Sequence, residues 1–249
     1  MTARGRGAVG VRIDAGVARL ELARDRLDLP LVQALADACG ALALDDRVHV
    51  VLVESAARSF CLGLPDAVAW PDVAWPDPVA ALAALPQPVI AAIDGEARGW
   101  GFGLALACDL RLASTRASFR ASDLAAGRQP GGGITQRLPR MVGTSRAMAL
   151  LLLGERVTAR DALEWGLVAD VVPPARLARA AAAAAARMAA RGPVALRYAK
   201  EAVRRALDLP LEDGVRLEHD LYVLLQTTAD RREGIDAFRS RRRPRFQAR

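Results

Sequence analysis

The stretch of this 249-residue chain best suited to chemistry is Gly99-Trp100-Gly101-Phe102-Gly103. Three glycines at alternate positions make a bend where a ligand can approach the main chain closely. Ahead of the bend, Val89-Ile90-Ala91-Ala92-Ile93 reads as a buried strand and Asp94-Gly95 as a turn. Behind it, Leu104-Ala105-Leu106-Ala107-Cys108 reads as a buried helix. A strand thus feeds a bend, and the bend opens a helix. The first N–H groups of a helix lack internal acceptors and sit at the positive end of its dipole. That geometry suits an anion, or an oxyanion developing on a carbonyl.

Other chemistries find little support. There is no G-x-S-x-G elbow, and Lys200, the sole lysine, lies in no phosphate-binding loop. The bend is G-x-G-x-G, and Leu104 stands where a dinucleotide-binding loop places its last glycine. Two histidines, His49 and His219, cannot build a histidine-rich metal site, so no metal is expected. Cys39, Cys61 and Cys108 are odd in number and far apart, which fits neither a disulfide framework nor zinc spacing. A reducing, cytoplasmic setting is expected. No apolar run nears the roughly 20 residues of a membrane span, and Met1 to Gly10 carries no secretory apolar region. The formal charge is +7, nearly all from arginine. That points to a polyanionic partner, either nucleic acid or a small phosphorylated ligand, or merely to an arginine- and alanine-rich composition. With 4% aromatic residues, stacking platforms for bases are few, so nucleic acid is not the expected partner.

The elements that would position the bend alternate in type. Residues 9–13 and 17–21 alternate around Asp14-Ala15-Gly16 as a hairpin. Pro30 opens a helix with apolar positions Leu31, Leu35, Ala38, Cys39 and Leu42. Residues 48–53 form an apolar strand, followed by a polar loop and the short segment Phe60-Cys61-Leu62-Gly63-Leu64-Pro65. Pro65, Pro71, Pro76 and Pro78 then rule out a long helix, and Trp70 and Trp75 among them read as a packed lid or a substrate wall. A short helix over 79–85, a strand over 110–113, a glycine-rich loop over 127–133 and helices over 134–141, 145–153 and 158–165 follow. Residues 119–126 fit no single pattern. Thr158 and Asp161 have capping-box spacing, and 167–172 is the last strand. From Ala175 the chain is helical, broken at Gly192-Pro193, and its tail is rich in arginine. Strands alternating with helices predict parallel pairing.

Several of these segments together carry a resemblance. They are Ser59-Phe60-Cys61-Leu62-Gly63, Ala92-Ile93-Asp94-Gly95 with its bend, Ala107-Cys108-Asp109, and Pro130-Gly131-Gly132-Gly133-Ile134-Thr135-Gln136-Arg137-Leu138-Pro139-Arg140. Ala162-Leu163-Glu164-Trp165-Gly166-Leu167-Val168, Ala199-Lys200-Glu201-Ala202 and the end from Glu233 to Phe246 follow in the same order. The chain resembles the enoyl-CoA hydratase/isomerase (crotonase) superfamily from end to end.

The resemblance implies an α/β fold, a spiral of ββα units over 1–191, with a C-terminal helical region over 192–249 that trimerises. A homotrimer or a dimer of trimers is expected. It implies an acyl-CoA thioester substrate and no cofactor, coenzyme A being part of the substrate. The oxyanion hole falls on the N–H groups of Leu64 and Trp100, with Trp100 in place of the expected glycine. Arg58, Cys61, Leu62, Gly63, Gly99 and Trp70 are the substrate-binding candidates, and Arg58 and the tail arginines are candidates for the phosphates. Family hydratases use two glutamates. The first falls on Gly103, which has no side chain, and the second on Asp123. Asp123 is the candidate acid/base, with Glu96 as a substitute and a capping or solvated role as its bland alternative. One carboxylate favours an isomerase or specialised lyase over an efficient hydratase. The alternative is a non-catalytic acyl-CoA- or RNA-binding protein of the same fold.

Overall fold

The computed structural model describes residues 7–65 and 75–249. Strands β1 (Val9–Asp14) and β2 (Val17–Leu22) form the expected hairpin, closed by Ala15 and Gly16, both at positive φ. Helix α1 (Leu29–Ala43) starts where Asp28 accepts a hydrogen bond from the Leu31 N–H, with Pro30 in the first turn. Strand β3 (Val50–Ser55), helix α2 (Pro78–Ala83) and strand β4 (Val89–Ile93) follow. Next come β5 (Glu96–Arg98), α3 (Trp100–Ala107), β6 (Leu110–Ser114) and β7 (Ser118–Arg120). A single 3-10 turn, Leu124–Ala126, leads to α4 (Ile134–Val142) and α5 (Thr144–Leu153). Then come β8 (Arg156–Thr158), α6 (Ala159–Glu164) with its Thr158–Asp161 capping box, and β9 (Asp170–Val172). Four helices end the chain: α7 (Pro174–Ala189), α8 (Pro193–Arg205), α9 (Leu211–Gln226) and α10 (Ala229–Arg239).

Two sheets result. The larger has the order β1-β2-β3-β4-β6-β9 and is parallel except for the opening hairpin. The smaller has the order β5-β7-β8. Cys61 adds a single parallel bridge to Ala97 at its edge. One large-sheet strand, one small-sheet strand and a helix repeat as β4-β5-α3 and as β6-β7-α4. In β3, Cys61 and α2 the middle strand has shrunk to that bridge. This is the expected spiral of ββα units.

Both faces of the large sheet are covered, which is why β3 and β4 read as continuous apolar runs. Val51, Val53, Ala91 and Ile93 face the main core, shared with α1, α2 and α3. Val50, Leu52, Ile90 and Ala92 face the other way, against Leu177, Ala181, Ala184 and Ala185 of α7. The alanine-rich sequence of α7 lets its backbone lie close to that sheet.

The small sheet was not legible as strands. Its members are three residues long, too short for a period-two pattern to declare itself. Helix α3 is buried along its whole length, and its C-terminal carbonyls are met by cations. At its C-terminus the Arg204 guanidinium donates to Ala107 O, and Arg111, buried, donates to Ala105 O and Cys108 O. Cations there match the negative end of the helix dipole. Lys200 Nζ lies 2.7 Å from Asp109 Oδ2 and donates to Gln87 O at 2.6 Å. These contacts clamp α8 onto the core.

Candidate active site

The N-terminus of α3 is the centre of the site, and glycine is required at each approach to it. Gly99 has φ +51, a conformation that side-chain-bearing residues rarely adopt. A Cβ on Gly101 would lie 2.0 Å from Cys61 O, so only glycine lets α3 meet the 60–64 segment. That segment is fixed by Cys61 N–H donating to Glu96 O and Arg98 N–H donating to Cys61 O. Gly63, at φ +77, sits so close to the helix end that a Cβ on it would be 3.1 Å from Trp100 N. The Gly63–Leu64 peptide therefore abuts the first turn of α3. The two expected oxyanion donors, the N–H groups of Leu64 and Trp100, come from these two adjoining pieces of backbone.

Asp123 stands beside this helix end. A Cβ on Gly99 would be 3.4 Å from its Oδ2. The residue is 6% exposed, and Oδ2 is buried with no hydrogen-bond partner. Burial raises the carboxyl pKa above its ordinary value, while the Arg128 and Arg98 charges and its own backbone N–H pull it partly back. The capping alternative does not hold: Asp123 precedes the 3-10 turn but its side chain makes no capping hydrogen bond. A buried carboxylate with an unsatisfied oxygen is suited to moving a proton. Glu96, the substitute acid, is half-buried on β5 opposite Ser118 and is not among the charges that act on Asp123.

The other candidates divide. Leu62 is half-buried and Leu64 packs on the edge of the core. Cys61 is fully buried and its thiol is pushed up to about 12 by burial, so its part in the site is confined to its backbone. Arg58 is exposed, and its carbonyl packs against Gly95. Trp70 lies outside the described residues, whereas Trp75 packs against the main core. Gly103 faces the loop before α4: a Cβ there would be 2.9 Å from Gly132 O. Simple insertion of a glutamate at 103 would therefore force that loop to move.

The sequence reading missed the partner of Trp100. Its indole is 8% exposed and lies over the glycine loop. A Cβ on Gly131 would be 2.5 Å from both Cε2 and Nε1 of the ring, and one on Gly132 would be 3.5 Å from Cε3. The bulk at 100 is accommodated by the missing side chain at 131. The signal was a run of three glycines 30 residues downstream, which has no local meaning.

Comparison with known proteins bears on the family and the fold. Residues 12–249 match the family model described as enoyl-CoA hydratase/isomerase. The chain is 38% identical over 234 residues to the 2,3-dehydroadipyl-CoA hydratase of Escherichia coli, covering 91% of this chain and 92% of that one. It is 44% identical over 161 residues to the (E)-benzylidenesuccinyl-CoA hydratase of Thauera aromatica, covering 65% and 63% of the two chains. Among solved structures, an enoyl-CoA hydratase from Bacillus anthracis superposes with a TM-score of 0.90 at 34% identity, over 97% of this chain and all of that one.

Proposed function

Because this chain belongs to the enoyl-CoA hydratase/isomerase family, we propose that it moves a double bond or a proton on an acyl-CoA thioester, with Asp123 as its one acid/base. The observation that carries this reading is the unpartnered, buried Oδ2 of Asp123 beside Gly99, where the oxyanion helix begins. Gly103 offers no second carboxylate, so isomerisation of a 3-enoyl-CoA is favoured over water addition. The relatives named above are called hydratases; this chain departs from a two-glutamate site at Gly103.

In this reaction the thioester oxygen lies against the N–H groups of Leu64 and Trp100. Ionised Asp123 takes a proton from C2. The bond electrons move into the thioester, and the resulting dienolate is held by the two donors, each worth roughly 3–4 kcal/mol. The double bond shifts from C3–C4 to C2–C3, and the protonated carboxyl returns the same proton to C4. The coenzyme A phosphates need cations, and exposed Arg58 and the tail arginines are the candidates for that role. No further cofactor enters. The protein works as a homotrimer or a dimer of trimers, with 192–249 as the assembly region.

Because Asp123 must be ionised to begin and burial raises its pKa, the rate falls with decreasing pH earlier than an exposed carboxylate would dictate. Steady-state kinetics on crotonyl-CoA and a 3-enoyl-CoA test the proposal. Isomerisation should exceed hydration, and Asp123→Asn should cut it by about 10²–10⁴-fold with acyl-CoA binding retained. Efficient hydration by the wild type, or an unaffected Asp123→Asn, overturns the assignment. Binding without turnover of any acyl-CoA identifies a non-catalytic binder.

A further inference from the structure

The indole of Trp100 does more than fill space. We propose that it is a water-excluding wall of the acyl site, and so the residue that selects proton transfer over addition of water. Three observations converge on it. First, Trp100 belongs to the first turn of α3, so the residue whose N–H faces the thioester oxygen also projects a large apolar ring from the same Cα. Second, that ring is seated, not loose. It lies where a side chain at Gly131 would be, 2.5 Å from that Cβ position, is in van der Waals range of Gly132, and is 8% exposed. Third, the ring and the Gly132 carbonyl close the same side. A Cβ on Gly103 would meet Gly132 O at 2.9 Å, so no carboxylate can reach in from there to hold a water.

The helix end is thus flanked by unlike groups. Asp123 stands on the Gly99 side, and the indole covers the Gly131–Gly132 side. An acyl chain held against the helix end meets a proton carrier on one side and a dry aromatic surface on the other. The 2-enoyl thioester formed in that setting has no water positioned to add at its C3, and a carboxyl shielded from bulk solvent keeps the proton it has taken from C2 until it returns it. The proton removed from C2 therefore returns to C4 without washing out. The inference rests on the isomerase reading above, and the experiment separates the two.

Two measurements decide it. In the first, butyryl-CoA is titrated into wild type and Trp100→Phe, with binding followed by calorimetry and by tryptophan fluorescence. The variant keeps the backbone N–H. The wild type should show a ligand-induced fluorescence change of which at least half is lost in the variant. Equal changes in the two proteins, or calorimetric binding to wild type with no fluorescence change, overturn the wall. In the second, a 3-enoyl-CoA is turned over in deuterium oxide by wild type and Trp100→Ala. The wild-type product should carry little deuterium at C4. The variant should raise that fraction at least threefold and raise the share of 3-hydroxyacyl product. An unchanged deuterium fraction in a folded variant overturns the proposal. If wild type turns over no 3-enoyl-CoA, the isomerase reading has failed, and the fluorescence comparison alone decides whether the indole lines the site. Absence of any acyl-CoA binding overturns both.

Discussion

Asp123 is held in a state that works against the stability of the fold. Its Oδ2 is buried without a partner, and burial raises its pKa. A carboxyl whose folded pKa exceeds its unfolded one favours the protonated folded protein. That contribution is fully present below the ordinary value of 3.8 and is lost as pH rises through the raised value. At pH 8 the wild type therefore carries the cost of a buried charge. Asp123→Asn removes the charge and should stabilise the protein by on the order of 1 kcal/mol, or about 2–4 °C in Tm, while cutting activity by the about 10²–10⁴-fold expected for loss of the acid/base. Thermal melts of both proteins from pH 8 down to pH 3.5 check this, and the gap should close toward the acid end. A variant less stable than wild type at pH 8 contradicts it. The position of Asp123 was legible in the sequence because a motif on either side fixes it. The state of its carboxylate was not, since it is set by burial and by the opposing charges of Arg98 and Arg128, and Arg98 and the neighbouring Gly99 come from a strand end well upstream. The same holds for Trp100, whose seat on Gly131 depends on a loop 30 residues away.

At the scale of elements, the small sheet holds the site together under an electrostatic handicap. Arg98 pairs with Arg120 across β5 and β7, and Arg120 with Arg156 across β7 and β8. Directly paired residues project to the same face, so three guanidiniums share one row, while Ala97, Phe119 and Val157 of the next row are buried. Like charges directly opposite one another destabilise a sheet by roughly 0.2–1 kcal/mol per pair. Arg156 is exposed, so Arg156→Thr should raise stability by an amount in that range. Added salt should shrink the gain, because screening already relieves the wild type. Denaturant unfolding at low and high ionic strength measures both. The opposite outcome is expected at Gly101, where a Cβ would strike the Cys61 carbonyl at 2.0 Å. Gly101→Ala must part α3 from the 60–64 segment, at a cost of at least about 1–3 kcal/mol. It should lose thioester binding even where it still folds, which calorimetry with butyryl-CoA reads directly. The large-sheet strands were legible because apolar runs of five or six residues announce burial on both faces. The three-residue strands of the small sheet are specified by pairing with one another, which no local window contains.

The whole molecule leaves its C-terminal helices undressed. Helix α7 is absorbed into the second core, and α8 is clamped by Lys200 and Arg204. Beyond them, only Leu221 of α9 and Asp230 and Ala237 of α10 are buried. Phe238 is 85% exposed and Leu211 83%, and Val203, Leu207, Tyr222, Val223 and Leu224 are exposed as well. The tail folds back over part of this region. Asp230 accepts hydrogen bonds from the Gln247 and Ala248 N–H groups, and Phe246 packs near Gly192 and Gly234. It covers none of the large apolar side chains just named, which remain exposed with the tail in place. So much apolar surface is seldom left to water in a monomer, and it lies in the 192–249 region where the helical pattern predicts self-association. Light scattering at micromolar concentration should give about 80 kDa for three chains of 26.5 kDa, or about 160 kDa for six. Placing charges in the patch, as in the double variant Leu211→Asp, Phe238→Asp, should shift the mass toward a single chain. It should also lower Tm and weaken its dependence on protein concentration, because assembly contributes to the stability of the wild type by mass action. Lys200 and the α8 clamp are untouched by these changes, so the spiral core should keep its circular dichroism. A wild type that scatters as a monomer, or a double variant with unaltered mass, removes the argument for an assembled enzyme.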